Sequence, residues 1–189
     1  MLSRSEVLGR RGRALVGSIV FLILTLAVAG TSHGGELVPS VGMVRNVDGD
    51  TDAKFFGGLA LRGDLGPIFM GEIATAYRSV PMLNDQVRVR MWPIMGTLYV
   101  RPVSMLYAGA GVGWYQTSYD YASTVPLADE TKSAFGVHLA GGLQLPITQH
   151  VGLDLNGRYV MMRDQSQPLI PQKFNPDFWT TQLGLAIKF

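Results

Sequence analysis

The chain has no cysteine, so neither a disulfide framework nor a thiolate metal centre is available to it. Only 16% of its 189 residues are charged, and no long apolar run follows residue 30, which excludes a membrane-spanning helix beyond that point. A basic surplus is also missing once the N-terminus is set aside. Arg4, Arg10, Arg11 and Arg13 precede an apolar run from Ala14 to Ala29 that ends in the small triplet Ala27, Val28, Ala29. This is the layout of a secretory signal peptide cut before Gly30, which makes 1–29 the leader and 30–189 a single mature domain. Without the leader, 12 basic and 13 acidic residues remain, a net charge of −1. Nucleic-acid binding therefore has no electrostatic footing.

What the chain does have is alternation. Phe135, Val137, Leu139, Gly141, Leu143 and Leu145 oppose Gly136, His138, Ala140, Gly142 and Gln144. After the short turn Pro146–Gln149, Val151, Leu153, Leu155, Gly157, Tyr159 and Met161 oppose Gly152, Asp154, Asn156, Arg158, Val160 and Met162. Side chains alternate across a strand, so each run has one oily and one polar or small face. A soluble half-buried sheet shows the same pattern. Length favours a membrane: both runs reach the roughly 9–11 residues that a tilted strand needs to cross a bilayer, whereas soluble strands are usually shorter.

Six further strands follow the same rule. Leu37–Asn46 sets Val41 and Met43 against Ser40, Gly42 and Val44; Lys54–Asp64 sets Phe55, Gly57, Leu59 and Leu61 against Phe56, Gly58, Ala60 and Arg62. Ile68–Val80 alternates Phe69, Ile73 and Tyr77 with Met70, Glu72 and Arg78, and Gln86–Arg101 opens with Val87, Val89 and Met91 against Arg88, Arg90 and Trp92. Pro93 is expected to interrupt that strand with a bulge, which leaves the facing of Ile94–Val100 open. Met105–Ser118 sets Leu106, Ala108, Ala110, Val112 and Trp114 against Tyr107, Gly109, Gly111, Gly113 and Tyr115, and Trp179–Phe189 closes the chain with a strand.

Connections alternate between loops (the first, third, fifth and seventh) and tight turns, the order of an up-and-down barrel with its turns at one rim. The expected fold is an all-β, eight-stranded antiparallel transmembrane β-barrel. Phe55, Tyr77, Trp114, Phe135, Tyr159 and Trp179 lie at loop-side strand ends and Phe69, Tyr99 and Phe189 at turn-side ends, as two interfacial girdles would. Eight strands enclose room only for side chains. The inward set Arg62, Glu72, Arg78, Arg88, Arg90, His138, Asp154, Arg158 and Lys188 carries both signs and is expected to pair across the interior, since a buried charge is tolerable when matched.

Tyr107 to Gly113, Phe135 to Gln144, Leu153 to Met162 and the ending Leu183 to Phe189 resemble the small outer-membrane β-barrel family, the eight-stranded porin-fold proteins of Gram-negative bacteria. The resemblance implies insertion in the outer membrane among lipid and lipopolysaccharide. It also implies delivery by periplasmic chaperones and barrel-assembly machinery, for which Phe189 is similar to the recognition signal. Such barrels include structural, adhesive and channel proteins, so no single activity is implied.

Chemistry-bearing motifs are sparse. Gly109, Gly111 and Gly113 lack dinucleotide-loop spacing and a following helix, so no cofactor is expected. Asp48, Asp50 and Asp52 resemble the start of a calcium loop, but Ala53 replaces the turn glycine and Leu59 the bidentate Glu. They leave a loose divalent contact at most. Some barrels of this kind deacylate lipid A with a lipid-facing His and Ser; no His-x-Ser pair occurs here, and His138 falls on the inward face, hydrogen-bonded to an acid. The expected function is a non-enzymatic envelope or surface-interaction barrel with a filled lumen and four exposed loops. Recognition is expected on the loops 119–131 and 164–177, with Tyr119, Asp120 and Tyr121 as the contact patch. A narrow solute channel and a secreted lipocalin-like barrel are the alternatives.

Overall fold

The computed structural model describes residues 34–47, 53–82, 87–121, 130–162 and 177–189. Eight strands follow in order: β1 (Gly35–Asn46), β2 (Lys54–Asp64), β3 (Phe69–Met82), β4 (Val87–Val103), β5 (Leu106–Tyr121), β6 (Glu130–Pro146), β7 (Val151–Met162) and β8 (Phe178–Lys188). Each pairs antiparallel with its chain neighbours, and β8 returns to β1 to close the barrel. Closure leaves no unpaired sheet edge, which is what hydrocarbon demands of a backbone that has no water to bond.

The seam is locked at the chain end. Gly35 donates to the Phe189 carbonyl at 3.0 Å, and Phe189 donates to the Gly35 carbonyl at 2.9 Å. A Cβ at position 35 would stand 2.8 Å from the Phe189 ring, so glycine there lets the ring lie against the seam. At the β2–β3 turn, Gly66 takes φ +146°, a conformation that side-chain-bearing residues rarely adopt. Between β6 and β7, Thr148 Oγ1 accepts from the amides of His150 and Val151, a hydroxyl-stabilised turn.

The two faces separate as the alternation predicts. Leu155, Leu183 and Leu185 are close to half exposed on the outside, whereas Asp154 is 1% and Arg158 3% exposed inside. An apolar exterior around an ionic interior is the reverse of a lipocalin and removes that alternative. Phe55, Tyr77, Trp114, Phe135 and Trp179 are outward and exposed near the loop side, with Phe69 and Phe189 exposed near the turns.

β4 departs from expectation. Trp92, Leu98 and Val100 are exposed outside, while Pro93, Thr97 and Tyr99 are buried inside. Odd positions therefore face inward, and the expected facing of Arg88 to Trp92 is inverted. No bulge forms at Pro93: Trp92, Pro93 and Ile94 pair in unbroken register with Gln116, Tyr115 and Trp114, and the shift falls instead between Val100 and Val103. Thr75 sustains the wall beside the proline, donating to the Pro93 carbonyl at 2.8 Å and accepting from Trp92 Nε1 at 2.6 Å. Tyr99 leaves the turn-side girdle for the interior, and Trp92 joins the loop-side one, where its ring meets Tyr77 edge-on at 6.2 Å.

Of the expected contact regions, one falls on a strand and the others lie almost wholly outside the described residues. β5 runs to Tyr121 and β6 begins at Glu130, so Tyr119, Asp120 and Tyr121 continue a strand rather than opening a loop. Nearly all of the loop 164–177 and the Asp48–Asp52 motif lie outside the described residues.

Leu155 points into lipid between the two aromatic levels. Leu155→Arg should lower unfolding stability in vesicles by about 2–4 kcal/mol, measured as a shift in the urea midpoint. A shift within about 0.5 kcal/mol, the range of an exposed soluble site, would contradict the outward assignment.

Candidate functional site

The interior is built in levels, and its centre is one guanidinium. Arg62 projects inward from β2, where its Nε donates to Glu72 Oε2 on β3 at 2.8 Å. Its two terminal nitrogens grip Asp154 on β7 at 2.7 and 3.1 Å. This forked geometry suits guanidinium and carboxylate better than any lysine could. Glu72 accepts in turn from Arg158 at 2.7 Å and from the Tyr99 hydroxyl at 3.1 Å. The Tyr107 hydroxyl donates to Asp154 at 2.7 Å. Two positive and two negative side chains are thus matched, each 3% exposed or less.

Aromatic and amide groups finish the level. The Tyr99 and Tyr107 rings meet edge-on at 4.9 Å, with the Arg62 guanidinium 4.9 Å from the Tyr107 ring centre. Asn156 donates to the Tyr107 hydroxyl and accepts from Gln182. Glycines clear the space: a Cβ at Gly142 would collide with the Tyr107 hydroxyl, and one at Gly111 with His138 Nε2. His138 meets Thr97 Oγ1 at 2.9 Å rather than the expected acid, and its Nδ1 has no partner among the described residues.

The remaining predicted lumen charges are scattered. Lys188 faces inward at the turn-side rim, 3.7 Å from Glu36, which also accepts from Gln144 at 3.0 Å. Arg78 is inward and half-buried, away from the carboxylates, with Met91 Sδ 3.7 Å from its guanidinium. Arg88 and Arg90 are not in the lumen: they share the outward parity of Trp92 and are exposed. At roughly 3.3 Å per residue they stand about 13 and about 7 Å beyond that ring along the strand, outside the hydrocarbon, where an outward charge carries no penalty. Arg90 pairs there with Asp120 of the expected contact patch. Nothing is described of the side chains of Tyr119 and Tyr121.

Toward the loops the lumen turns apolar. Val44, Tyr115, Val160 and Phe178 form a buried cluster against Phe56, Met91, Met95 and Met162, leaving a cavity of about 50 Å³ that Arg78 and Arg158 also line. Sequence reasoning placed the charges on the inward faces but did not single out Glu36, Thr97, Tyr107, Gln144 or Asn156 as their partners, and it put Tyr99 in the turn-side girdle. The inward parity of Tyr107, Gln144 and Asn156 was the signal that could have found them.

Among the described residues no group of three His, Cys, Asp or Glu is placed to hold a metal. Ser118 bonds Thr131 on the outer wall, and His138 bonds Thr97 inside.

Comparison with known proteins agrees with the architecture. The family model for the outer membrane protein beta-barrel domain matches residues 15–189. No curated protein matches. Among solved structures, a major outer membrane protein from Thermus thermophilus superposes with a TM-score of 0.61 at 12% identity, over 83% of this chain and 100% of that one. OprG from Pseudomonas aeruginosa gives 0.56 at 14%, over 85% and 98%. Ail of Yersinia pestis, in complex with the heparin analogue sucrose octasulfate, gives 0.54 at 15%, over 82% and 98%. At such identities the likeness is one of fold.

Removing one member of the ion cluster strands its partners. Arg62→Met should cost about 3–5 kcal/mol, read as a lowered urea midpoint in vesicles, because Glu72 and Asp154 lose their shared cation. A cost below about 1 kcal/mol, no more than an exposed ion pair is worth, would show that the cluster does not hold the barrel.

Proposed function

Since the chain belongs to the outer membrane protein beta-barrel domain family and is an integral β-barrel of the bacterial outer membrane, we propose that it serves there as a non-enzymatic wall protein whose plugged lumen anchors four exposed loops. One observation carries this reading. The cluster of Arg62, Glu72, Asp154 and Arg158 ties β2, β3 and β7 together across the interior, with Tyr99 and Tyr107 filling in from β4 and β5. Every charge in it has a matched partner, so a permeating ion would have to displace a neutral, hydrogen-bonded plug rather than pass along a lined path. Function in this reading rests with the outer wall and the loops, where recognition on a rigid scaffold usually sits.

Residues 1–29 are the cleaved leader and 30–189 the mature barrel. Phe189, exposed at the seam beside Gly35, is the feature that barrel-assembly machinery reads after periplasmic chaperones deliver the chain. Lipid and lipopolysaccharide are the standing partners. The outward Arg88 and Arg90 beyond the Trp92 ring support contact with headgroup phosphates, for which guanidinium is well matched.

Conductance tests the reading. Mature protein in planar bilayers should stay electrically silent, and Arg62→Ala, which empties the centre of the plug, should raise conductance if the variant still folds. Sustained ohmic openings of the unmodified protein would overturn the plugged barrel in favour of a narrow channel.

A further inference from the structure

The two halves of the lumen follow different rules. On the turn side the charges are matched; on the loop side of Arg158 the interior is lined mostly by apolar side chains and thioethers, with Thr180 and Gln182 among them. Yet among the described residues it holds a cation whose contact is a sulfur and a hydroxyl without a hydrogen-bond partner. The Tyr115 hydroxyl is buried without a hydrogen-bond partner among the described residues, in a residue 2% exposed. An orphan of this kind costs roughly the strength of the bond it forgoes and is rare in native interiors. Its position is built rather than incidental. Gly113 leaves room for the ring, where a Cβ would stand 2.7 Å from it, and Phe178 meets the ring edge-on at 5.8 Å.

Arg78 lines the same cavity, with a methionine sulfur as its contact. Arg158, the other cation of the lining, is already engaged by Glu72. No carboxylate lines the cavity among the described residues, so its electrostatic balance is positive.

We propose that this loop-side chamber is a binding site for a small amphiphilic carboxylate. The apolar body would rest among Phe56, Met91 and Val160, and the carboxylate would accept from the Arg78 guanidinium and the Tyr115 hydroxyl. An apolar pocket with a few convergent polar groups is the usual form of a small-molecule site. The charge decides the class of ligand: a neutral apolar guest leaves both polar groups as they are, whereas a carboxylate is the acceptor that both donors lack among the described residues. The free volume of about 50 Å³ holds only a few waters. An aromatic acid therefore enters by rotating Met91, Met95 and Met162, unbranched side chains suited to repacking around a guest. The site lies beyond the plug and does not depend on whether the barrel conducts.

The test uses the mature barrel in lipid nanodiscs with ¹³C-methyl methionine, titrated with sodium benzoate and, separately, with benzyl alcohol. Benzoate should move the Met91, Met95 and Met162 methyl signals saturably, while outward Met43 and exposed Met105 stay in place. Arg78→Gln should weaken benzoate by about tenfold or more, the worth of a hydrogen bond to a charged group, and Arg78→Lys should retain most of the affinity. Tyr115→Phe should weaken benzoate while leaving the urea midpoint unchanged or higher, because it removes an unpaired hydroxyl. That combination separates a ligand contact from a structural one. Absence of saturable shifts would overturn the proposal, as would benzyl alcohol matching benzoate with Arg78→Gln making no difference, since either outcome reduces the chamber to apolar packing.

Discussion

Inside a bilayer a backbone amide has only other protein groups to bond, and from that constraint the rest of this structure follows. The sheet must close, so β8 pairs with β1 and the last residue is bonded into the seam. Closing eight strands brings their inner faces within side-chain reach of one another, so whatever lines the interior must pack and, if charged, must be matched. Arg62 meets that demand by bonding two carboxylates, Glu72 from the neighbouring strand and Asp154 from β7, three strands round the barrel. A single unmatched charge at this depth would cost several kcal/mol; the matched cluster converts the same groups into a tie between distant strands.

The matched region occupies one part of the height only. Above Arg158 the lining changes to Val44, Tyr115, Val160 and Phe178, and above the aromatic level the outer wall changes to Arg88, Arg90 and Asp120. Height along the barrel axis therefore decides what a position tolerates as much as facing does. Within the hydrocarbon, charge points in and oil points out. Beyond it that rule lapses, and β3 to β6, at 14 to 17 residues, are the strands long enough to reach there.

This explains which parts of the molecule could be read from the chain. The alternation of β7 and of the Phe135–Leu145 part of β6 is free of outward charge, so facing, register direction and the inward placement of Asp154 and Arg158 were legible. β4 begins outside it, and there the assumption that charged residues face inward assigned Arg88 and Arg90 to the wrong side and inverted the strand. The inward Thr97 and Tyr99 held the true parity. Pro93 was expected to break the register, but pairing with β5 runs through it unbroken, and Thr75 donates to the proline carbonyl. Pairing was beyond reach for a different reason. Arg62 and Asp154 stand 92 positions apart, and no local pattern says which inward carboxylate a given guanidinium meets.

Because the chain has no cysteine, single cysteines introduced along β7 can each carry a nitroxide spin label in the mature protein reconstituted in vesicles. Accessibility to oxygen, which concentrates in hydrocarbon, should alternate with a period of two residues: high at 153, 155, 157 and 159, low at the inward positions 152, 156 and 160, which lie outside the ion cluster, with a water-soluble nickel chelate excluded throughout. A flat profile, or one in which the nickel chelate reaches the odd-numbered positions, would contradict an apolar wall around a matched ionic interior.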